Sequence, residues 1–149
     1  MTNKQPTNVP SGTIHPKSTF VLGLDPSGRG QDQTGLVILE QLNQGEEVFV
    51  SYLEIVDTTD LTIVIDRVIY LDGFYIFKKI FLDETGLGTG ISDMLKRKLG
   101  SRVQGIWFTS KSKIQMFNNM KLLMMKTKGN LFIPDYLTMN EAIVKKFFY

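Results

Sequence analysis

Apolar and polar positions divide this chain into short elements of two periods. Phe20 to Leu24 is an apolar run that ends in Asp25, and it predicts a strand. Asp25 to Gln33 is a polar turn with two glycines. Thr34 to Glu40 and Val48 to Ile55 predict two more strands, separated by a turn at 42–47 that contains Asn43 and Gly45. Connections this short make the three strands an antiparallel meander. The period then changes. Leu61, Val64, Ile65, Val68 and Ile69 have helical spacing behind N-cap candidates at Asp57 to Asp60, and Asp72-Gly73 is expected to end that helix. Its β-branched residues give it weak intrinsic propensity, so packing must hold it.

Lys79 to Leu82 predicts a fourth strand. A crossover helix precedes it, so it is expected to run parallel to the first strand. A glycine-rich loop follows, then a helix to Leu99 with Ile91, Met94, Leu95 and Leu99 on one face and Gly100 as its cap. Val103 to Phe108 is a fifth strand. Ser112 to Thr127 is a third helix, whose Phe117, Met120 and Met124 share one side and read as core filler. Leu131 to Ile133 is a short strand stopped by Pro134, and Thr138-Met139-Asn140-Glu141 has the capping-box pattern of a last helix. Residues 1–18 are polar and contain three prolines; they read as a disordered arm or linker, with His15 solvated within it.

Composition narrows the class. A chain of 149 residues is one domain by length. Without cysteine it has no disulfide and no thiolate metal site. No apolar run reaches the ~20 residues of a membrane-spanning helix, and the start lacks a hydrophobic signal region. The net charge of +2 says little until it is mapped. Residues 94–134 hold nine Lys or Arg and no acid, whereas residues 25–93 hold thirteen acids and four bases. That is either a solvated basic face or a phosphate-backbone footprint beside an acidic site.

The candidate chemistry lies at two strand ends. Asp25 and Asp83 each close an apolar strand and open a glycine-containing turn. Asp25 alone could be a turn former. If its strand lies beside the fourth, two carboxylates meet at one sheet edge and repel unless a cation lies between them. Hard divalent ions accept such oxygen ligands and keep several waters, and a pair of them can cleave a phosphodiester. Glu84 follows Asp83, so in an extended strand it faces the opposite side; in a loop it could turn inward as an accessory ligand. Asp32 reads as a turn residue. Asp93 reads as an acid suited to the start of a helix. The Gly86, Gly88 and Gly90 loop could let a phosphate approach closely. Lys111 and Lys113 after the fifth strand are either solvated or bound to a DNA phosphate.

The element order resembles the ribonuclease H-like fold. That implies an α/β domain over residues 19–149, with a mixed five-stranded sheet (three antiparallel strands, then parallel ones) flanked by helices. Two stretches resemble a particular family, the nuclease domain of viral large terminase subunits. Gly23-Leu24-Asp25-Pro26-Ser27-Gly28-Arg29-Gly30-Gln31-Asp32-Gln33-Thr34 is similar to its first acidic motif, and Leu82-Asp83-Glu84-Thr85-Gly86-Leu87-Gly88 with Ser92-Asp93-Met94-Leu95 to its second. The later segment around Lys113, Asn118-Asn119-Met120 and Gly129 to Pro134 is similar to the family's next stretch.

The resemblance implies a Mg²⁺- or Mn²⁺-dependent endonuclease that cuts concatemeric viral DNA during genome packaging. Asp25 and Asp83 would be its catalytic metal ligands, with Glu84 as a further ligand and Arg29, Lys111 and Lys113 on the DNA. It implies double-stranded DNA, a terminase ATPase domain, small terminase and portal proteins as partners, in the cytoplasm of a host cell. The chain departs from the family in two ways. The family's third acid lies further on, and Asp135 and Glu141 lack its context; no Gly-x-x-x-x-Gly-Lys-Ser/Thr loop is present. The nuclease domain is therefore expected to be incomplete at its carboxyl end and weakly active or inactive alone. Three other readings stay open: a sugar-kinase- or actin-type nucleotide lobe, a non-catalytic DNA-binding module with vestigial acids, and a resolvase- or transposase-type enzyme.

Overall fold

The computed structural model describes residues 17–27, 33–86, 88–125 and 131–133. Strand β1 (Thr19–Asp25) runs through the middle of the sheet. On one side it pairs antiparallel with β2 (Thr34–Leu42), which pairs antiparallel with β3 (Glu47–Val56). On its other side lies β4 (Lys79–Asp83), parallel as the crossover predicts, and beyond it β5 (Val103–Ile106), also parallel. The crossover helix α1 covers Leu61–Tyr75, and α2 (Gly88–Leu99) joins β4 to β5. Helix α3 (Ser110–Met125) follows β5, and β6 (Leu131–Phe132) pairs in parallel with β3 at the far edge. The sheet therefore has six strands, one more than expected, because the short strand read at Leu131 joins the edge. The fold class stands: a mixed α/β sheet flanked by helices.

Side-chain alternation explains the layering. Phe20, Leu22 and Leu24 of β1 are buried on one face with Leu36, Ile38, Ile80 and Leu82. Val64, Ile65, Val68 and Leu71 of α1 and Ile91 and Leu95 of α2 close over that face. Val37 and Leu39, the alternate residues of β2, pack on the other face with Val50, Leu53, Leu131 and Ile133. Among the described residues, no helix is long and apolar enough to cross a membrane.

Two helix expectations need correction. Helix α1 runs through Gly73 and stops at Ile76, which takes a left-handed conformation (φ 50°). Its end is fixed by Asp72, whose carboxylate accepts from Phe77 N at 3.0 Å and forms a fork with Arg102 at 2.7 and 2.8 Å. Its start is as expected, with Asp60 Oδ1 accepting from Thr62 N at 2.9 Å. Helix α3 buries none of its residues, so Phe117, Met120 and Met124 are exposed rather than core filler. It starts two residues early because Thr109 and Ser112 cap each other, Thr109 N donating to Ser112 Oγ and Ser112 N to Thr109 Oγ1. The last helix at Thr138, His15 and nearly all of the 1–18 arm lie outside the described residues.

Arg67 of α1 ties to β3, donating to Glu54 Oε2 at 2.8 Å and Tyr52 Oη at 2.9 Å, while Tyr52 Oη donates to Glu54. Burial, and then the Glu54 charge, push the Tyr52 phenol up to about 12. A folded-state pKa above the unfolded one gives stability that is complete below about pH 10 and disappears as pH rises through about 12. Urea midpoints should therefore fall more steeply from pH 9 to pH 12 in the native chain than in Tyr52→Phe. Equal slopes would refute this role for Tyr52.

Candidate metal centre

The pairing of β1 and β4 builds the site. Leu24 stands opposite Leu82 in parallel register, so the next residue of each strand, Asp25 and Asp83, reaches the same sheet edge. Neighbouring strands lie roughly 4.8 Å apart, so the two acids are immediate neighbours. Their side chains alternate with the buried Leu24 and Leu82 and so face the layer opposite α1 and α2. There they line a cleft of about 550 Å³ with Phe81, Phe108, Lys113 and Phe117. Gly23 forms part of its floor, where an added Cβ would lie 2.8 Å from Val37 Cγ1.

A loop contact holds Asp83, and another holds the turn after Asp25. Asp83 Oδ1 accepts from Thr85 N at 2.7 Å. After Asp25 the chain turns, and Ser27 N donates to buried Thr34 Oγ1 at 3.0 Å. The glycines after Asp83 do separate jobs. Gly86 takes positive φ (73°), while Gly88 lets α2 begin against the strand end: a Cβ there would meet Asp83 O at 1.7 Å. The close approach at Gly88 is between α2 and the end of β4.

Glu84 does not turn inward. Its Oε1 accepts from Lys96 Nζ at 3.0 Å, on the α2 side of the sheet. The nearby Ser92 hydroxyl and then the Lys96 ammonium hold its carboxyl below the usual carboxylate range. Buried Ser92 Oγ makes no hydrogen bond of good geometry, so the 3.0 Å bond from Lys96 is the well-formed one. Lys113 reaches into the cleft, its Nζ 5.9 Å from the Phe108 ring centre. Lys111 is exposed and does not line the cleft. Asp93 is exposed on α2. Arg29, Asp32, Asp135 and Glu141 lie outside the described residues.

Sequence reasoning missed Phe81, Phe108 and Phe117 as cleft residues. The period-2 reading of β4 contained the signal for Phe81, since it shares a face with Asp83. The oxygen pair suits a hard ion held by one or two carboxylates and several waters. Among the described residues, however, no group of three acids or histidines comes together.

A mixed sheet whose antiparallel half (β1 to β3) adjoins a parallel half (β4 and β5), flanked by helices, has the ribonuclease H-like α/β fold. Its fold is more particularly that of phage large terminase nuclease domains. The large terminase nuclease of thermophilic phage G20c superposes with a TM-score of 0.66 at 23% identity, over 89% of this chain and 70% of that one. The nuclease domain of the Thermus phage P74-26 large terminase gives 0.63 at 21% identity, over 88% and 62%. That of bacteriophage SPP1 gives 0.56 at 18% identity, over 83% and 65%, and its structure contains bound manganese. Structures of the G20c nuclease contain zinc, magnesium or cobalt. Across the G20c structures the chain spans 60 to 70% of the nuclease's length. No family model matches the chain, and no curated protein matches it.

Proposed function

We propose that this chain is the nuclease part of a viral terminase large subunit, an endonuclease that cuts concatemeric double-stranded DNA during genome packaging. The observation that carries the reading is the Asp25–Asp83 pair, on adjacent parallel strands and open to one cleft, in a fold shared with terminase nucleases. In this reading both carboxylates hold Mg²⁺ or Mn²⁺. Bound there, such ions would supply an activated water and charge neutralisation for phosphodiester hydrolysis. The protein's own work is to fix the two acids by strand register and by the Thr85 amide. Lys113, at the cleft wall, steadies a backbone phosphate, and Lys111 and Arg29 are further DNA contacts. A third carboxylate comes from outside the described residues or from a second chain. The partners are a terminase ATPase domain, the small terminase and the portal, in the cytoplasm of a host cell.

A second reading has one observation in its favour. With no third acid beside the pair among the described residues, the chain alone would bind DNA and cut it poorly. Conversion of supercoiled plasmid to nicked and linear forms, with Mg²⁺, Mn²⁺ or EDTA, separates the two. Cutting in either metal and none in EDTA is the expected outcome, weak with this chain alone. DNA binding without cutting at any metal concentration favours the non-catalytic module, and absence of both refutes the proposal.

A further inference from the structure

Resting on the metal-site reading above, we infer that Glu84 is a positioning residue: its side chain locks the loop after β4 so that Asp83 keeps facing the cleft. The residue is held on every side. Its backbone N donates to Ile106 O at 2.9 Å, tying the strand end to β5. Its carbonyl accepts from Thr89 Oγ1 at 3.3 Å, and its Oε1 from Lys96 Nζ at 3.0 Å, both from α2. The carboxyl lies against the backbone of β5 at Gly105. A Cβ built on Gly105 would sit 1.8 Å from Glu84 Cδ and 1.9 Å from Oε1, so the absent side chain of Gly105 is the seat of Glu84.

The pleat does the rest. Consecutive residues leave a strand on opposite faces, so pinning Glu84 toward α2 forces Asp83 toward the cleft. The Thr85 amide then completes the hold on Asp83 Oδ1. The Lys96–Glu84 pair is partly exposed and contributes little by itself; the fit over Gly105 and the main-chain ties make the arrangement rigid. Groups that orient metal ligands typically change affinity by about 10- to 100-fold when removed.

The test compares Glu84→Ala, Glu84→Gln and Gly105→Ala with the native chain, by Mn²⁺ titration and by hydrogen exchange of the Thr85 amide. Exchange reports the Asp83 carboxylate without any metal. Glu84→Ala should weaken Mn²⁺ about tenfold and accelerate Thr85 exchange, and Gly105→Ala, if folded, should do the same by evicting Glu84. Glu84→Gln still accepts from Lys96 and fills the seat, so it should keep both properties near native. Loss of Mn²⁺ in Glu84→Gln equal to that in Glu84→Ala would make the carboxylate itself a ligand and overturn the inference. Unchanged Thr85 exchange in Glu84→Ala would overturn it as well. A native chain that binds no Mn²⁺, but whose Thr85 exchange rises in Glu84→Ala, would refute the metal-site reading and leave the positioning role standing.

Discussion

Gly88→Ala should destabilise the chain by about 2–3 kcal/mol and disable the site, while Gly90→Ala, two residues on, should stabilise it. The first substitution places a methyl group 1.7 Å from the carbonyl oxygen of Asp83. The obstacle is backbone, which cannot swing aside as a side chain can, so α2 or the end of β4 must move. Overpacking of this kind costs roughly 1–3 kcal/mol, sometimes more. Any shift of the strand end moves Asp83 out of line with Asp25. At Gly90, by contrast, a Cβ meets nothing within 4 Å and the residue is exposed in the first turn of α2. Replacing a helical glycine with alanine there should add about 0.5–1 kcal/mol. Thermal melts would read the pair as shifts of opposite sign, the first roughly 4–10 °C down. A Gly88→Ala melt equal to the native one would show that α2 does not abut the strand end.

Asp25→Asn and Asp83→Asn should each lower metal-dependent cutting by on the order of a hundredfold or more, without loss of fold. Each removes one anionic oxygen donor from a site that offers two among the described residues, and hard cations lose most when a charged ligand becomes neutral. Neither side chain is part of the buried core, so urea midpoints should change little. The double variant should be hardly worse than either single one, because groups acting as a unit are not additive. Lys113→Ala should instead weaken DNA binding and its salt dependence while retaining metal binding. Native-level cutting by either Asp variant would contradict the assignment.

The layered fold was legible because each strand carries its period in apolar residues. Phe20, Leu22 and Leu24 gave β1, and Ile80 and Leu82 gave β4. The helical stretch between β3 and β4 implied a parallel return, and with it the meeting of Asp25 and Asp83. What stayed hidden depended on residues far apart in the chain. Helix α1 passes Gly73 and ends where the Asp72 carboxylate accepts from Phe77 N, a carboxylate held in turn by Arg102, thirty positions on. Glu84 could be assigned to the opposite face from the pleat alone, but neither Lys96 nor the gap at Gly105 is visible in a linear pattern. Helix α3 misled for the converse reason. Its apolar spacing is that of a buried face, yet no described element covers Phe117, Met120 or Met124.

Calorimetric titration of Mn²⁺ into the native chain, Asp25→Asn, Asp83→Asn and Asp93→Asn is the decisive test of the metal centre. Asp93 is exposed on α2 and does not line the cleft, which makes it a control for loss of one negative charge. The native chain and Asp93→Asn should bind Mn²⁺, and both of the other variants should lose it. Binding that survives in Asp25→Asn and Asp83→Asn, or that falls equally in all three, would contradict a metal centre built on the paired ends of β1 and β4.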